Sequence, residues 1–487
     1  MKEAIYQRIK DLAANSTPDQ LAYLAKSLEL IADKKAIADI VQMTEVKEII
    51  DALQKRLKDL AANSTPDQLA YLAKALESIV DKSAVSEIVQ MTDGKKYKEM
   101  AEEFLHGVNV IEVTSGARIV RTTKSSVIGV IGTAPEADEQ KFPLNRPVLI
   151  AGSLKEAAKL GKSGSLPSAI NGIFSQIGAT VVVIRAKESE NSDSKLKESE
   201  TIQNIIGGVD KENGEYQGIE AFLSSESIVH VAPRILIAPQ FTHQLPEDGK
   251  NPVVSALIPI AEKLRSIIVA DGPNTNDEEA IKWRKSVGSS RVYVVDPWVK
   301  VFEGEEKPAS PFVAGLISKI DSEQGFWHSP SNKEINGIVG TSRPIDFTLG
   351  NTNCRANHLN ENEVTTIIHQ NGYRLWGNRT CSSDPKWAFL SVRRTADLIN
   401  DSLLRSHLRA VDRNITKTYI DDVIEGVNSY LAHLKAQGAI IIGKCYATPE
   451  LNTPANIASG KVYFDFEFTP PYPAEQIIFR SHLVNIS

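Results

Sequence analysis

The sequence predicts a multidomain protein with an α/β part and an α+β part, preceded by an all-α tandem repeat. Three observations carry this prediction: a helical segment that occurs twice near the start, apolar strand-length runs alternating with helix-period stretches in the middle, and helices followed by strands at the end. The length of 487 residues agrees, because domains average about 150 residues.

The first hundred residues contain an internal duplication. Residues 8–44 recur at residues 56–92 with most aligned positions identical, and each copy carries Asn-Ser-Thr-Pro-Asp-Gln-Leu. In this motif the Thr caps a helix, the Pro takes the first helical position and the Gln completes a capping box, so helices are predicted to begin at Pro18 and Pro66. We interpret residues 1–103 as a helical extension that acts as a spacer or decoration, with a partner-binding module as the alternative.

The middle of the chain reads as a mainly parallel sheet covered by helices. Helix-period stretches at residues 252–265 and 277–287 separate strand-length apolar runs, which is the pattern of βαβ units. The polar segment 187–215 is predicted to be an exposed loop. The apolar runs predicted as strands are residues 126–132, 179–185, 234–238, 266–270 and 292–295.

The C-terminal part is predicted to be α+β, with helices at residues 395–411 and 416–437 and strands at residues 439–446, 462–468 and 477–484. The second of these strands has one apolar face, formed by Val462, Phe464, Phe466 and Phe468. A proline-rich joint follows it at residues 469–474, which favours a fixed departure of the last strand over a tight hairpin. A hairpin within one subunit is the alternative.

Composition and motifs exclude several classes of function. A net charge of −6 disfavours nucleic acid as the main partner, and the three scattered cysteines frame neither a disulfide scaffold nor a zinc site. No signal peptide is recognised, and the longest apolar runs are far below the roughly 20 residues that cross a bilayer. Gly161-Lys-Ser163 lacks the preceding glycine of a phosphate loop, since that position is Glu156. We therefore predict no catalytic residue, metal or cofactor, and no polar cluster at the strand ends.

Several segments resemble the contractile tail sheath proteins of myophages and R-type pyocins over about residues 104–487. The segments with the longest matching motifs are residues 104–113, 125–135, 142–150 and 460–475, the last reading Gly-Lys-Val-Tyr-Phe-Asp-Phe-Glu-Phe-Thr-Pro-Pro-Tyr-Pro-Ala-Glu. Shorter similar segments are residues 329–332, 372–380 and 392–394.

The resemblance implies a structural subunit that polymerises helically around an inner tube and contracts to drive the tube through a target cell envelope. Its expected partners are further copies in stacked hexameric rings, the inner tail tube protein, and baseplate and tail terminator proteins, without nucleic acid or membrane insertion. Assembly would occur in the host bacterial cytoplasm, as part of a virion tail or phage-tail-like particle. The rival interpretation is a monomeric binding protein that uses the N-terminal helical repeats.

The resemblance also divides the chain and names its contact residues. The implied parts are an N-terminal arm (104–124), an outer α/β domain (125–345), an inner α+β domain (346–474) and a C-terminal arm (475–487). The arms would add strands to neighbouring copies next to the receiving strand of residues 462–468. The contributing side chains would be Val108, Val110, Ile111 and Val113 of the N-terminal arm and Ile477, Phe479 and Leu483 of the C-terminal arm.

A basic stripe is the candidate for contact with the tube. Arg405, Arg409, Arg413 and Lys417 are spaced by four, which would align them on one helix face if the helix continued through residues 412–414. We expect this stripe to face an acidic tube surface. A solvated face or salt bridges between subunits are the alternatives.

Overall fold

The computed structural model describes residue 120, residues 122–246 and residues 249–484. The chain separates into two units between Thr114 and Ser115, and every described residue belongs to the second unit. The predicted helical repeats and the N-terminal arm residues Val108, Val110, Ile111 and Val113 lie outside the described residues.

The five apolar runs predicted as strands of the α/β part all form strands, among further elements that the sequence pattern does not predict. The strands are β1 Ile128–Thr133, β2 Val148–Ala151, β3 Thr180–Ala186, β4 Gly208–Val209, β5 Tyr216–Gln217, β6 Ile235–Ile237, β7 Ile267–Asp271, β8 Val292–Val295, β9 Val299–Lys300, β10 Glu306–Lys307, β11 Gly340–Thr341, β12 Thr366–His369, β13 Tyr373–Trp376, β14 Ile442–Ala447 and β15 Phe464–Thr469. The α-helices are α1 Leu154–Ala157, α2 Ser165–Phe174, α3 Ser194–Ile206, α4 Ser225–Val229, α5 Pro252–Leu264, α6 Asp277–Lys285, α7 Ser310–Glu323, α8 Arg355–Glu361, α9 Leu390–Ser406, α10 Lys417–Ala436 and α11 Pro454–Ala458.

A six-stranded sheet in the order β2-β3-β1-β6-β7-β8 forms the centre of the α/β part. All neighbouring strands are parallel except β2, which runs antiparallel to β3 at one edge. In register, Val130 of β1 lies between Val183 of β3 and Ile237 of β6. The prediction of a mainly parallel sheet is confirmed.

Both faces of this sheet are buried, as parallel strands require. One face carries Val130 and Val183 and packs against α2 and α7, while the other carries Ile131 and packs against α5 and the fully buried Trp283 of α6. Continuous apolar runs therefore reveal these strands in the sequence, because no residue of the run faces water.

Local capping explains where the crossover helices begin. Asn251 accepts a hydrogen bond from the Val254 amide at the start of α5, where Pro252 takes the first position, and Asn276 accepts one from Glu279 at the start of α6. Helix α5 ends at Leu264, and the C-cap residue Arg265 adopts a left-handed conformation with φ of 51°. Both helices lie where the sequence predicts them.

The prediction of a loop throughout residues 187–215 is wrong. Helix α3 lies within this segment, capped by Asp193, whose carboxylate accepts hydrogen bonds from the amides of Lys195 and Leu196. Only Thr201 and Ile205 of this helix are buried. A contact face that consists of one i, i+4 pair gives too weak an apolar period to stand out in a polar segment.

The C-terminal part has a small core of its own between α9, α10 and the β14–β15 sheet. Leu398 and Leu403 of α9, Tyr430 and Leu431 of α10, and Cys445 of β14 are buried there together. Val120 at the other end of the described chain is buried in the same core. Within the described residues, no helix has the length and apolar character needed to cross a membrane.

Candidate functional site

The antiparallel β14–β15 pair is the element to which the sequence assigns a receiving role. Cys445 lies opposite Phe466, and Phe464, Phe466 and Phe468 pack from one face onto the small core. Residues Asp465 and Glu467 on the other face are exposed. The predicted inward-facing side is present for Phe464, Phe466 and Phe468, which are half-buried, whereas Val462 lies before the start of β15.

One edge of this two-stranded sheet is covered by α10. The side-chain amide of Asn428 donates to the Cys445 carbonyl at 3.0 Å and accepts from the Cys445 N–H at 2.7 Å. Because both backbone groups of Cys445 point away from β15, Cys445 and Phe466 form a non-hydrogen-bonded pair of the ladder. The N–H and C=O of Phe466 must then point to the opposite edge.

That opposite edge of β15 is open among the described residues, where the sheet contains two strands. By the alternation of the ladder, the backbone groups of Phe464 and Phe468 point the same way as those of Phe466. An edge with unpaired donors and acceptors beside a row of aromatic side chains is a template for another strand.

The chain leaves β15 through a proline-rich segment that is fastened to the loop before α9. Glu475 accepts hydrogen bonds from Arg379 Nε at 2.8 Å and from Arg379 Nη2 at 2.7 Å. The Tyr472 ring meets the Phe389 ring edge-on at 6.1 Å, and the Arg379 guanidinium lies 5.2 Å from the centre of the same Phe389 ring. A β-bridge joins Arg379 and Phe389, so the backbone of the two residues that hold the proline-rich segment is itself hydrogen-bonded.

Beyond Glu475 the chain is extended away from its own core. Ile477, Phe479 and Leu483 are 70%, 92% and 97% exposed. The prediction of a strand at residues 477–484 is not met in the isolated chain, since a strand exists only with a ladder partner and none of the described residues pairs with this segment. An apolar segment without a partner is the second half of the candidate site.

The basic stripe does not lie on one helix face, because the helix on which that alignment depends does not continue through residues 412–414. Helix α9 ends at Ser406, Arg409 lies in a short 3₁₀ turn, and Thr416 caps the new helix that begins at Lys417. Between them, Asp412 has a φ of 63°. A left-handed residue followed by a helix cap interrupts the helical repeat, so a spacing of four no longer places side chains on one face.

Arg405 is also committed to contacts inside the subunit. Its Nε donates to Asp401 at 2.8 Å, and its terminal nitrogens pair with Glu226 of α4. Asp401 in turn pairs with the buried Arg234. Burial alone would raise the pKa of Asp401, but Arg234 and Arg405 outweigh it and hold that pKa below its ordinary value.

Buried ion pairs fix α9 to the α/β part, and sequence reasoning missed them. Arg291 donates to Asp397 at 2.7 Å and 3.1 Å, and Arg394 pairs with Asp321 of α7. The Arg291 and Asp397 side chains are only 6% and 4% exposed. The available signal was the repetition of charged residues on an amphipathic helix, where the simplest interpretation is a solvated face.

A polar cluster does lie at the C-terminal ends of β7 and β8, contrary to the prediction. Asp271 accepts from the Ser310 amide at 2.7 Å and from its hydroxyl at 2.6 Å, while Asp296 accepts from the Asn274 amide and pairs with Arg343. Burial raises the pKa of Asp271 to about 7, against the opposing hydrogen bonds from Ser310. Each carboxylate has partners within the chain, so the cluster joins α7 and neighbouring loops to the sheet.

The Gly161-Lys-Ser163 loop is filled by a carboxylate of the same chain. Glu136 accepts a hydrogen bond from the Lys162 amide at 3.0 Å. Bonds from the Lys162 backbone and the Ser163 hydroxyl lower the pKa of Glu136. Within the described part of the chain, no group of three or more His, Cys, Asp or Glu residues is arranged to hold a metal ion.

Three family models match the chain in consecutive order. They are the N-terminal region of tail sheath protein Gp18 domain III at residues 125–186, the phage tail sheath protein central domain at residues 214–381 and the phage tail sheath C-terminal domain at residues 382–483. The last match includes β14, β15 and the extended C-terminal segment.

Related proteins align with more than three quarters of the chain. A prophage major tail sheath protein of Pseudomonas aeruginosa strain UCBPP-PA14 is 42% identical over 382 residues, which are 77% of this chain and 96% of the relative. The tail sheath protein of Escherichia phage P2 is 36% identical over 390 residues, which are 79% of this chain and 96% of the relative. About a fifth of this chain lies outside each of these two alignments.

Solved structures share the fold at lower sequence identity. The anti-feeding prophage helical sheath in the contracted state aligns with a TM-score of 0.57 at 20% identity, covering 78% of this chain and 99% of that one. The sheath complex of an extracellular contractile injection system, also contracted, aligns with a TM-score of 0.56 at 17% identity, covering 78% of this chain and 98% of that one.

Proposed function

The chain belongs to the phage tail sheath family and is a structural subunit of a contractile tail sheath, and from this premise we propose that it polymerises by exchanging terminal strands between copies. Its role is structural and not enzymatic. In the polymer, the C-terminal arm of one copy pairs with the open edge of β15 in a neighbour, and its alternate side chains dock beside the phenylalanine row.

One observation carries this proposal: the same chain has an unpaired strand edge and an unpartnered apolar segment. The open edge runs along Phe464, Phe466 and Phe468, and the segment exposes Ile477 and Phe479. Donation from one copy to the next is a heterologous contact, which need not close and therefore suits a helical polymer.

The energy of the exchange is large enough to hold copies together. About four backbone hydrogen bonds at ~1 kcal/mol net each and three buried apolar side chains at ~1.5–3 kcal/mol each give a total of about 9–13 kcal/mol, before ordering costs. An arm bound this firmly stays attached while the bodies of the subunits change their packing. Contraction is then a switch between two packings of one lattice.

The N-terminal arm has its root in the same small core as the receiving sheet. Val120 is 3% exposed there, the Thr122 hydroxyl lies 3.1 Å from the Tyr430 hydroxyl, and the Thr123 amide donates to Ser402 at 3.0 Å. We propose that residues 108–113, which precede this root, form a second donated strand.

The remaining assembly follows the family. We propose that copies form stacked hexameric rings around an inner tube protein and meet a baseplate and a terminator protein at the ends, after assembly in the host bacterial cytoplasm. Residues 125–345 form an outer domain, residues 346–474 an inner domain, and residues 104–124 and 475–487 the arms. The extension of residues 1–103 lies outside the three matched regions and projects from the lattice.

Tube contact is proposed for the connection between α9 and α10. Arg409, Arg413 and Lys417 lie on this connection, and the Arg413 guanidinium lies 5.7 Å from the centre of the Tyr419 ring. Arg405, at the end of α9, is paired with Glu226 and Asp401, so it contributes to the tube contact only through its positive charge at the surface. An acidic tube surface would complement this group.

Two truncations test the proposed function. Removal of residues 476–487 leaves a folded protein that sediments as a monomer and forms no tubes or rings in negative-stain micrographs. Removal of residues 1–103 serves as the matched control and leaves assembly intact. Polymers of normal appearance without residues 476–487 would contradict strand donation by this arm.

A further inference from the structure

We propose that Arg379, Phe389, Tyr472 and Glu475 form an exit clasp that keeps the C-terminal arm from pairing with the open edge of its own β15. The inference rests on the proposed strand exchange. It adds a contact that favours pairing of the arm with a neighbouring copy over pairing within its own subunit. The clasp keeps both the arm and the edge available to neighbouring copies.

Self-pairing is a real competitor because the arm follows the open edge directly. Strand β15 ends at Thr469 and the apolar arm starts at Ile477, a separation that a hairpin connection can span. A partner tethered this closely has an effective concentration in the millimolar range, far above that of a second copy in solution. A subunit closed in this way would offer neither an arm nor an edge, and it would stop a growing polymer.

The segment that connects β15 to the C-terminal arm disfavours a hairpin within one subunit. Pro470 is buried and Pro471 and Pro473 are half-buried, and each proline fixes its own φ and lacks an N–H for a ladder. A hairpin would need Glu475 or Gln476 to lie beside Thr469. Glu475 is instead held by two nitrogens of Arg379 at 2.7 Å and 2.8 Å.

The clasp has two points of attachment on one ordered support. Tyr472 contacts the Phe389 ring and Glu475 binds Arg379, while Arg379 also lies over Phe389 and is joined to it by a β-bridge. Arg379 and Glu475 are 35% and 40% exposed, so the contact adds little to a buried core. The main effect of the contact between Arg379 and Glu475 is to set the direction in which the chain continues from residue 476.

Charge reversal tests the clasp and separates it from a general loss of folding. We compare Arg379→Glu, Glu475→Arg and the double variant that carries both changes. Glu450→Arg, at an exposed turn residue, is the matched control. For each full-length protein we measure the critical concentration for polymerisation by sedimentation, and amide exchange at Phe464, Phe466 and Phe468 in the dilute monomer.

The expected result is a rise of about two- to fivefold in the critical concentration for each single variant, because the loss of one exposed ion pair shifts the partition between open and closed monomer by no more than that factor. Exchange at the β15 edge amides slows in the same monomers, because the arm now covers its own edge. The double variant restores both values, and Glu450→Arg changes neither.

Two outcomes overturn the clasp. Single variants that polymerise at the wild-type concentration would show that the contact does not direct the arm. Single variants that fail to polymerise while their edge amides exchange at the wild-type rate would show that self-pairing is not the cause. Failure of the underlying strand exchange is distinguished separately, because the protein without residues 476–487 would then still polymerise.

Discussion

The buried pair of Arg291 and Asp397 gives the sharpest test of how α9 is fixed to the α/β part. The perturbation is Asp397→Ala, which removes both acceptors that lie 2.7 Å and 3.1 Å from the Arg291 guanidinium. Arg291 is 6% exposed and would keep one carbonyl, that of Ser266 at 3.1 Å, and the outer carboxylate of Glu262. A buried cation without its main partner is destabilising.

The magnitude follows from this geometry. Breaking one side of a buried ion pair costs about 3–5 kcal/mol, so Asp397→Ala should lower the free energy of unfolding by that amount. The double variant Arg291→Met with Asp397→Leu removes both charges of the pair but leaves Arg393, which also donates to Asp397 at 2.8 Å and 3.2 Å, so it should recover only part of the lost stability. Glu262→Ala is the matched control and should cost less than about 1 kcal/mol, because Glu262 is 57% exposed.

The assay is urea unfolding of the full-length chain below its polymerisation concentration, followed by tryptophan fluorescence and circular dichroism. A loss below about 1 kcal/mol for Asp397→Ala would refute the reasoning, since the pair would then contribute no more than a surface contact. A double variant as unstable as the single one would refute the assignment of the loss to the unpaired charge.

Three further predictions concern the pH response, the arm and the tube contact. The pKa of Asp271 is about 7 in the folded protein and 3.8 in the unfolded chain, so the native state holds the proton more tightly. The free energy of unfolding should therefore fall by up to ~4 kcal/mol as the pH rises from about 4 to 7. Asp271→Asn should flatten this slope in urea unfolding between pH 5 and 8. Phe479→Asp should change monomer stability by less than about 0.5 kcal/mol, because the side chain is 92% exposed, yet abolish polymers in sedimentation; retained polymers would remove Phe479 from the interface. Joint reversal of Arg409 and Arg413 to Glu should weaken extended-sheath assembly on purified tubes. Arg405→Glu should weaken this assembly and also lower monomer stability, because it breaks the contact with Asp401. Unchanged assembly of both variant proteins would exclude the tube contact.

The parts of the fold that the sequence predicts are those decided by local pattern. Strands β1, β3 and β7 were recognised because each is a continuous apolar run, buried on both faces. The β15 face was recognised from strict alternation, which needs no knowledge of its partner. Helix α3 was missed because only two of its side chains are buried.

The candidate site was predictable in its residues and not in its geometry. The phenylalanine row and the apolar arm are visible as sequence, but which edge of the two-stranded sheet is open depends on the contact between Asn428 and Cys445, residues 17 positions apart, because this contact covers the β14 edge. The alignment of the basic stripe on one helix face was not predictable for a similar reason. A single left-handed residue, Asp412, interrupts the helical repeat, so the residues on either side of it no longer share a face.

The sequence by itself determined the family, the mainly parallel sheet and the alternating apolar face of β15, because each is expressed in a run of neighbouring residues. Only the tertiary structure decided that Arg405 is used within the subunit, that α9 is held by buried ion pairs, and that Glu475 is fastened to Arg379. The physical reason is that charge pairs between distant residues leave no periodic trace in the chain. Whether a charged side chain faces water, a partner or a neighbouring element is decided by packing.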